Sequence, residues 1–261
     1  MHFFDDVAKG VSTFFKAVPF TFKHFGLFLL IPFFLFLLLF LITYFLGDTI
    51  YGYVSTYVFS AIGMSSATSV LGKIASLVLK GLLFLLFKII FFLLFYFFSG
   101  YIILMVMSPL LSYLSEKTEK IIKQHEYPFI WSVWFKQVKR SLFISLRNLC
   151  IQLAWTLLML ILGIIPFLGW IISPVAAIFI FLINAYFFGF SFMDYSLERK
   201  NYSVSQSVKI IQKNKGTSIA LGSIFFVSYM IPYLGYFLAP FISIFVTVAA
   251  TMSMEEVITN H

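Results

Sequence analysis

Charge is what this chain has least of: Asp, Glu, Lys and Arg make up 11% of it, against roughly 25% in soluble domains. The charges are also segregated. None occurs from Phe25 to Gly47, from Ile89 to Ser115, from Leu149 to Met193 or from Gly216 to Met254. A soluble core helix has no need of such runs, whereas about 20 uncharged residues cross a ~30 Å hydrocarbon layer. Cysteine is nearly absent too, and the single Cys150 excludes an intramolecular disulfide and any multi-cysteine metal site. His2, His24, His125 and His261 are scattered, without metal-ligand spacing. No GxSxG elbow, P-loop or dinucleotide fingerprint occurs, and no carboxylate falls inside an apolar run where its pKa would be tuned for chemistry. The reading is therefore of a non-enzyme with no catalytic residues, no cofactor and no metal.

What remains is apolar: 61% of the residues, with 36 phenylalanines that read as lipid-facing bulk and packing. The long runs are apolar on every face, which suits helices and not the alternating strands of a β-barrel. The fold class expected is an all-α integral membrane protein forming a single membrane domain over residues 1–261, with no water-soluble globular part. Asp5 and Asp6 stand where a cleaved signal would be basic, so no signal peptide is expected.

Along the chain, residues 3–18 form an amphipathic pattern: Phe3, Val7, Val11, Phe14 and Val18 oppose Asp5, Asp6, Lys9, Ser12 and Lys16, and Pro19 closes it. This predicts an interfacial helix within residues 1–22. Transmembrane helices are expected at 25–46 and 74–107, separated by a loop over 47–73. The second reaches about 50 Å and must tilt or project. Residues 108–148 form a connection with a surface helix after Pro109. A basic amphipathic helix follows, whose Trp131, Trp134, Phe135, Val138 and Leu142 oppose Lys136, Lys139 and Arg140. Interfacial tryptophans and snorkelling cations suit the headgroup level.

The rest is an internal repeat. Ile165-Pro166-Phe167-Leu168-Gly169-Trp170 matches Ile231-Pro232-Tyr233-Leu234-Gly235-Tyr236, and Pro174 matches Pro240 at the same spacing. Each copy reads helix, Pro-Gly turn, helix, giving hairpins at 149–193 and 216–254. Pro166, Gly169, Pro174, Pro232, Gly235 and Pro240 are read as shaping the turns; helix ends there would also offer backbone donors to an anion. The entering arms, about 25 and 24 Å long, fall short of the ~30 Å core. Hairpins inserted partway fit these lengths; full crossing stays open.

Lys and Arg orient the chain. The N-terminal segment holds Lys9, Lys16 and Lys23, the 108–148 connection seven cations and the 194–215 connection five, whereas the 47–73 loop has only Lys73. Both termini are thus expected in the cytoplasm. The net charge of +8 then reflects topology and anionic lipid, and no nucleic-acid partner is expected.

At the repeated turn the chain resembles bacterial sulfate permeases of the CysZ type. Ser173-Pro174-Val175, Phe192-Met193-Asp194-Tyr195, Lys213-Asn214-Lys215-Gly216, and Ser108-Pro109-Leu110-Leu111 with Glu116 and Glu119 fit the same pattern. The eukaryotic etoposide-induced endoplasmic-reticulum protein belongs to the same broad family. The resemblance implies two long transmembrane helices, two partly inserted hairpins, a homo-oligomer around an anion path, the bacterial inner membrane and sulfate uptake. It also implies a Gly-Leu-Arg-like sulfate-binding motif, which here reads Gly26-Leu27-Phe28. Phe28 supplies no charge-assisted donor, so sulfate does not follow as substrate.

Three residues are candidates for the pathway. Lys88, flanked by Phe87 and Ile89, lines an anion path or snorkels at an interface. Arg147, beside Asn148, receives an anion or anchors its helix to headgroups. Asn184 coordinates an ion or hydrogen-bonds between helices. The function expected is a passive channel or permease for a small inorganic anion. The alternative is a membrane scaffold that acts on lipid without transport.

Overall fold

A computed structural model describes residues 3–61, 70–124, 130–165, 168–200, 202–231 and 234–259. The described residues are helical almost throughout, with no strand among them. The helices are α1 (Phe3–Phe25), α2 (Leu30–Ala61), α3 (Val70–Lys123), α4 (Trp131–Ile164), α5 (Leu168–Arg199), α6 (Val204–Lys213), α7 (Lys215–Met230) and α8 (Gly235–Thr259), with a 3-10 turn at Gly26–Leu29. Four stretches among them are long and apolar enough to cross a membrane: Phe3–Leu35, Trp131–Met159, Pro174–Arg199 and Phe237–Ile258. The chain is an all-α integral membrane protein.

Several helices run past their predicted ends. Pro19 lies inside α1 and Pro109 inside α3. Helix α2 continues through Gly47 and Asp48, and α4 fuses the basic amphipathic helix with the first hairpin arm. The physical reason is the solvent. An internal proline forfeits one backbone hydrogen bond, whereas a helix end in hydrocarbon strands up to four groups.

The chain divides into two compact units. The smaller, Phe33–Ser99, pairs its parts of α2 and α3 through Tyr51, whose ring lies 5.1 Å from Phe84 and 5.7 Å from Phe87.

The larger unit, Met1–Pro32 with Gly100–His261, is built around α7. This helix is rich in small residues and buries Gly216, Thr217, Ser218, Ala220, Leu221, Gly222, Phe225 and Tyr229. Against α5 the backbones approach so closely that a Cβ on Gly222 would lie 1.7 Å from the Ala185 carbonyl oxygen, and one on Gly189 1.8 Å from that of Ser218. Residue pairs 185–222 and 189–218 run in opposite directions, so the helices are antiparallel. Without a hydrophobic drive between helices in lipid, such backbone approach is a main source of packing.

Helix α1 packs on α7 and α8 with the face formed by Asp6, Gly10, Thr13, Ala17 and Thr21. Thr217 Oγ1 donates to the Asp6 carbonyl at 3.0 Å. The aromatic face, with Phe4, Phe15 and Phe22, is exposed. This corrects the expectation for Asp6, which is turned inward. In lipid the small and polar stripe is the one that gains from protein contact.

The repeat is also structural. Ile165 (ψ 121°) ends α4 and Ile231 (ψ 117°) ends α7, both extended, as a residue before proline must be.

Candidate permeation face on helix α4

Helix α4 is apolar in composition, yet one face carries Gln137, Ser141, Ser145, Asn148, Gln152 and Thr156 at spacings of three and four. All are buried except Gln152, which is half-buried. From 137 to 156 this face extends about 28 Å along the axis, close to the ~30 Å of a hydrocarbon core.

Four of the six, Gln137, Ser141, Asn148 and Gln152, meet a polar group on α3 or α5. Ser112 Oγ donates to Gln137 Oε1 at 3.1 Å, and Ser141 Oγ to Glu198 Oε2 at 3.5 Å. Asn148 Nδ2 donates to Ser191 Oγ at 3.0 Å. Further along, the Tyr101 hydroxyl donates to Gln152 Oε1, and Gln152 Nε2 to Asn184 Oδ1. Asn184 Nδ2 caps the chain on the Ile180 carbonyl at 2.7 Å. The fully buried Tyr101 ring is fixed by stacking on Phe188, centroids 4.7 Å apart.

Beside this face stands Arg147. Its guanidinium lies 5.8 Å from the Phe190 ring centroid, and its Nη1 is buried with no hydrogen-bond partner. The neighbouring Asn148 Oδ1 is buried and unpartnered as well. A buried guanidinium nitrogen without an acceptor is costly, and an anion would satisfy it.

The other arginines of this region hold carboxylates, although Arg199 Nη2 is itself buried without a hydrogen-bond partner. Arg140 Nη2 pairs with Asp194 Oδ1 at 2.9 Å and donates to Ser207 Oγ at 2.8 Å. Its Nη1 donates to the Tyr202 carbonyl. Arg199 Nε pairs with Glu119 Oε2 at 2.8 Å, and its Nη1 donates to Ser115 Oγ at 2.6 Å. Lys123 bridges Glu119 (2.7 Å) and Glu255 (2.9 Å), and Lys200 holds Glu255 at 2.7 Å. This cluster ties α3, α5 and α8 together. Burial pushes the Glu119 carboxyl up, but Arg199 and Lys123 outweigh it and hold its pKa below the ordinary value. The same pairing raises Lys123 despite the opposing effect of burial.

Arg147 and Asn184 therefore both lie at the α4–α5 interface, at different levels, while Lys88 lies in the smaller unit, exposed, with Nζ 5.2 Å over the Phe84 ring. At the degenerate motif, Gly26 and Leu27 are exposed and Phe28 packs on Phe25 and Tyr113, with centroids 6.1 and 5.7 Å away. Of the turn residues, Pro166 and Pro232 lie outside the described residues. Gly169 is in the first turn of α5, and Gly235 begins α8. Pro174 and Pro240 lie inside the return helices, past the turns themselves. The polar face of α4 was missed in the sequence reading, although its spacing was there to find. Among the described residues no His, Cys, Asp and Glu side chains gather into a metal site.

The segments that carried the family resemblance now have structural roles: Asp194 pairs with Arg140 and Glu119 with Arg199. A comparison with known families matches residues 13–240 to the family described as sulfate transporter CysZ/etoposide-induced protein 2.4. A search of curated proteins finds no match. With well over half its length matched, this chain belongs to the sulfate transporter CysZ/etoposide-induced protein 2.4 family.

Proposed function

We propose that the protein lets a small inorganic anion cross the bacterial inner membrane passively, along the polar face of α4, as a homo-oligomer. The observation that carries this reading is Arg147: a buried cationic donor without an acceptor, beside a polar face as long as the bilayer core is thick. Unlike Arg140 and Arg199, Arg147 pairs with no carboxylate among the described residues, which leaves its charge for an anion. Passive flux fits a sequence without a nucleotide-binding motif and without carboxylates in its apolar runs. The hydrogen-bonded chain from Tyr101 to Asn184 is then the closed state, and conduction requires those side chains to exchange one another for the anion.

The test is radiolabelled sulfate uptake into liposomes holding the purified protein, with chloride and phosphate as competitors. Loss of a charge-assisted contact should lower flux about tenfold in Arg147→Gln, with assembly and thermal stability unchanged. Undiminished flux in that variant would remove Arg147 from the path. If the folded wild type passed no anion at all, the scaffold reading would take over.

A further inference from the structure

An open cleft of about 620 Å³ lies between the C-terminal part of α3 and the first turn of α4. It is lined by Pro109, Leu110, Tyr113, Lys117 and Lys120 of α3 and by Trp131 and Trp134 of α4. The geometry points to a binding site for one anionic phospholipid, with its phosphate at Lys117 and its glycerol and first acyl carbons against the two tryptophans.

The two lysines differ. Lys120 Nζ is held by Glu116 at 2.6 Å. Lys117 Nζ stands 5.8 Å over the Tyr113 ring and pairs with no carboxylate among the described residues, so its charge is directed at the cleft. The tryptophan wall is pre-built: Trp131 and Trp134 meet edge to face with centroids 5.7 Å apart, and Trp134 Nε1 donates to the Pro109 carbonyl at 3.4 Å. Trp131 nevertheless remains 64% exposed. A small hydrated anion would satisfy Lys117 and leave that aromatic wall wet. A phospholipid covers both, since its phosphate sits directly above apolar carbons and tryptophan matches that boundary. The volume falls within the range of about 300–1,000 Å³ usual for ligand sites.

Native mass spectrometry of the full chain in detergent tests this, by titrating phosphatidylglycerol against phosphatidylcholine. The wild type should retain one phosphatidylglycerol per chain, with about tenfold preference. Lys117→Gln should lose the preference and Lys117→Arg keep it. Trp131→Ala, altered at an exposed side chain, should lose lipid of both kinds. Lys136→Gln, an exposed cation on the same helix but outside the cleft, should behave as wild type. Equal retention of both lipids by the wild type would overturn the assignment, as would a preference that survives Lys117→Gln or falls equally in Lys136→Gln. Displacement of the lipid by millimolar sulfate or phosphate would make this a free-anion site and overturn it too.

Discussion

Single residues show where one-dimensional reading stops. Arg147 and Asn184 stood out because a polar group in an apolar run is conspicuous, and the structure sets both at the α4–α5 interface. The ion cluster was invisible for a different reason. Arg140 and Asp194 are 54 positions apart and Arg199 and Glu119 80, so each charge looked like a solvated or headgroup-facing residue until the fold joined them. Their burial gives a pH prediction. The folded pKa of Glu119 lies below its ordinary 4.5, so its stabilising contribution is complete above that value and is lost as pH falls through the lowered one. Lys123 is raised above 10.5, so its contribution is complete below that value and is lost only in strong alkali. The part of the melting temperature in detergent that Glu119 supplies should accordingly fall on acidification. Glu119→Gln breaks a buried pair and should cost about 3 kcal/mol at neutral pH. The gap between wild type and variant should then narrow as pH falls below about 4.5, because protonation removes the same charge. A constant gap on that descent would mean that Glu119 is not the charged partner of Arg199.

At the scale of elements, periodicity marked the helix of α1 and left Asp6 on the wrong face. The pattern in α1 is real, but the face that packs is the one with Asp6, Gly10 and Thr13, because lipid rather than water covers the phenylalanines. Pro19 and Pro109 were over-weighted as boundaries for the same reason, since both sit within helices, and Pro174 and Pro240, read as shaping the turns, lie inside the return helices. Gly222 and Gly189 drew no notice as isolated glycines in apolar runs, yet they set how closely α5 and α7 approach. Gly222→Ala would place its Cβ 1.7 Å from a backbone oxygen, which no rotamer change relieves. Overpacking of this kind should cost about 3 kcal/mol, or prevent folding. Gly26→Ala, where an added Cβ meets nothing within 4 Å, is the matched control and should stay within about 0.5 kcal/mol. Equal melting temperatures for the two variants would show that the α5–α7 crossing is looser than described.

For the larger unit as a whole, the repeated Ile-Pro turn was legible, but the difference between the two hairpins was not. Their apolar entering arms are nearly equal in the sequence, about 25 and 24 Å. The structure makes them unequal, because α4 extends back to Trp131 over 34 residues while α7 has only 16. The α5–α7 crossing fixes their relative depth. Ala185 lies 17 residues from the start of α5, about 26 Å, and its neighbour Gly222 lies nine residues from Ile231, about 14 Å. The tip of the first hairpin therefore reaches roughly 12 Å further from the crossing than the tip of the second. In a ~30 Å core that difference is enough for one tip to emerge while the other stays within hydrocarbon. Ile165 and Ile231 are both exposed at these tips, so either accepts a cysteine without loss of packing. In a Cys150→Ser background, Ile165→Cys should react with a membrane-impermeant maleimide from the side opposite the termini. Ile231→Cys should react from neither side and only with a permeant reagent. Reaction of both from the far side would mean two fully crossing hairpins, and reaction of neither would mean that both stop inside the bilayer.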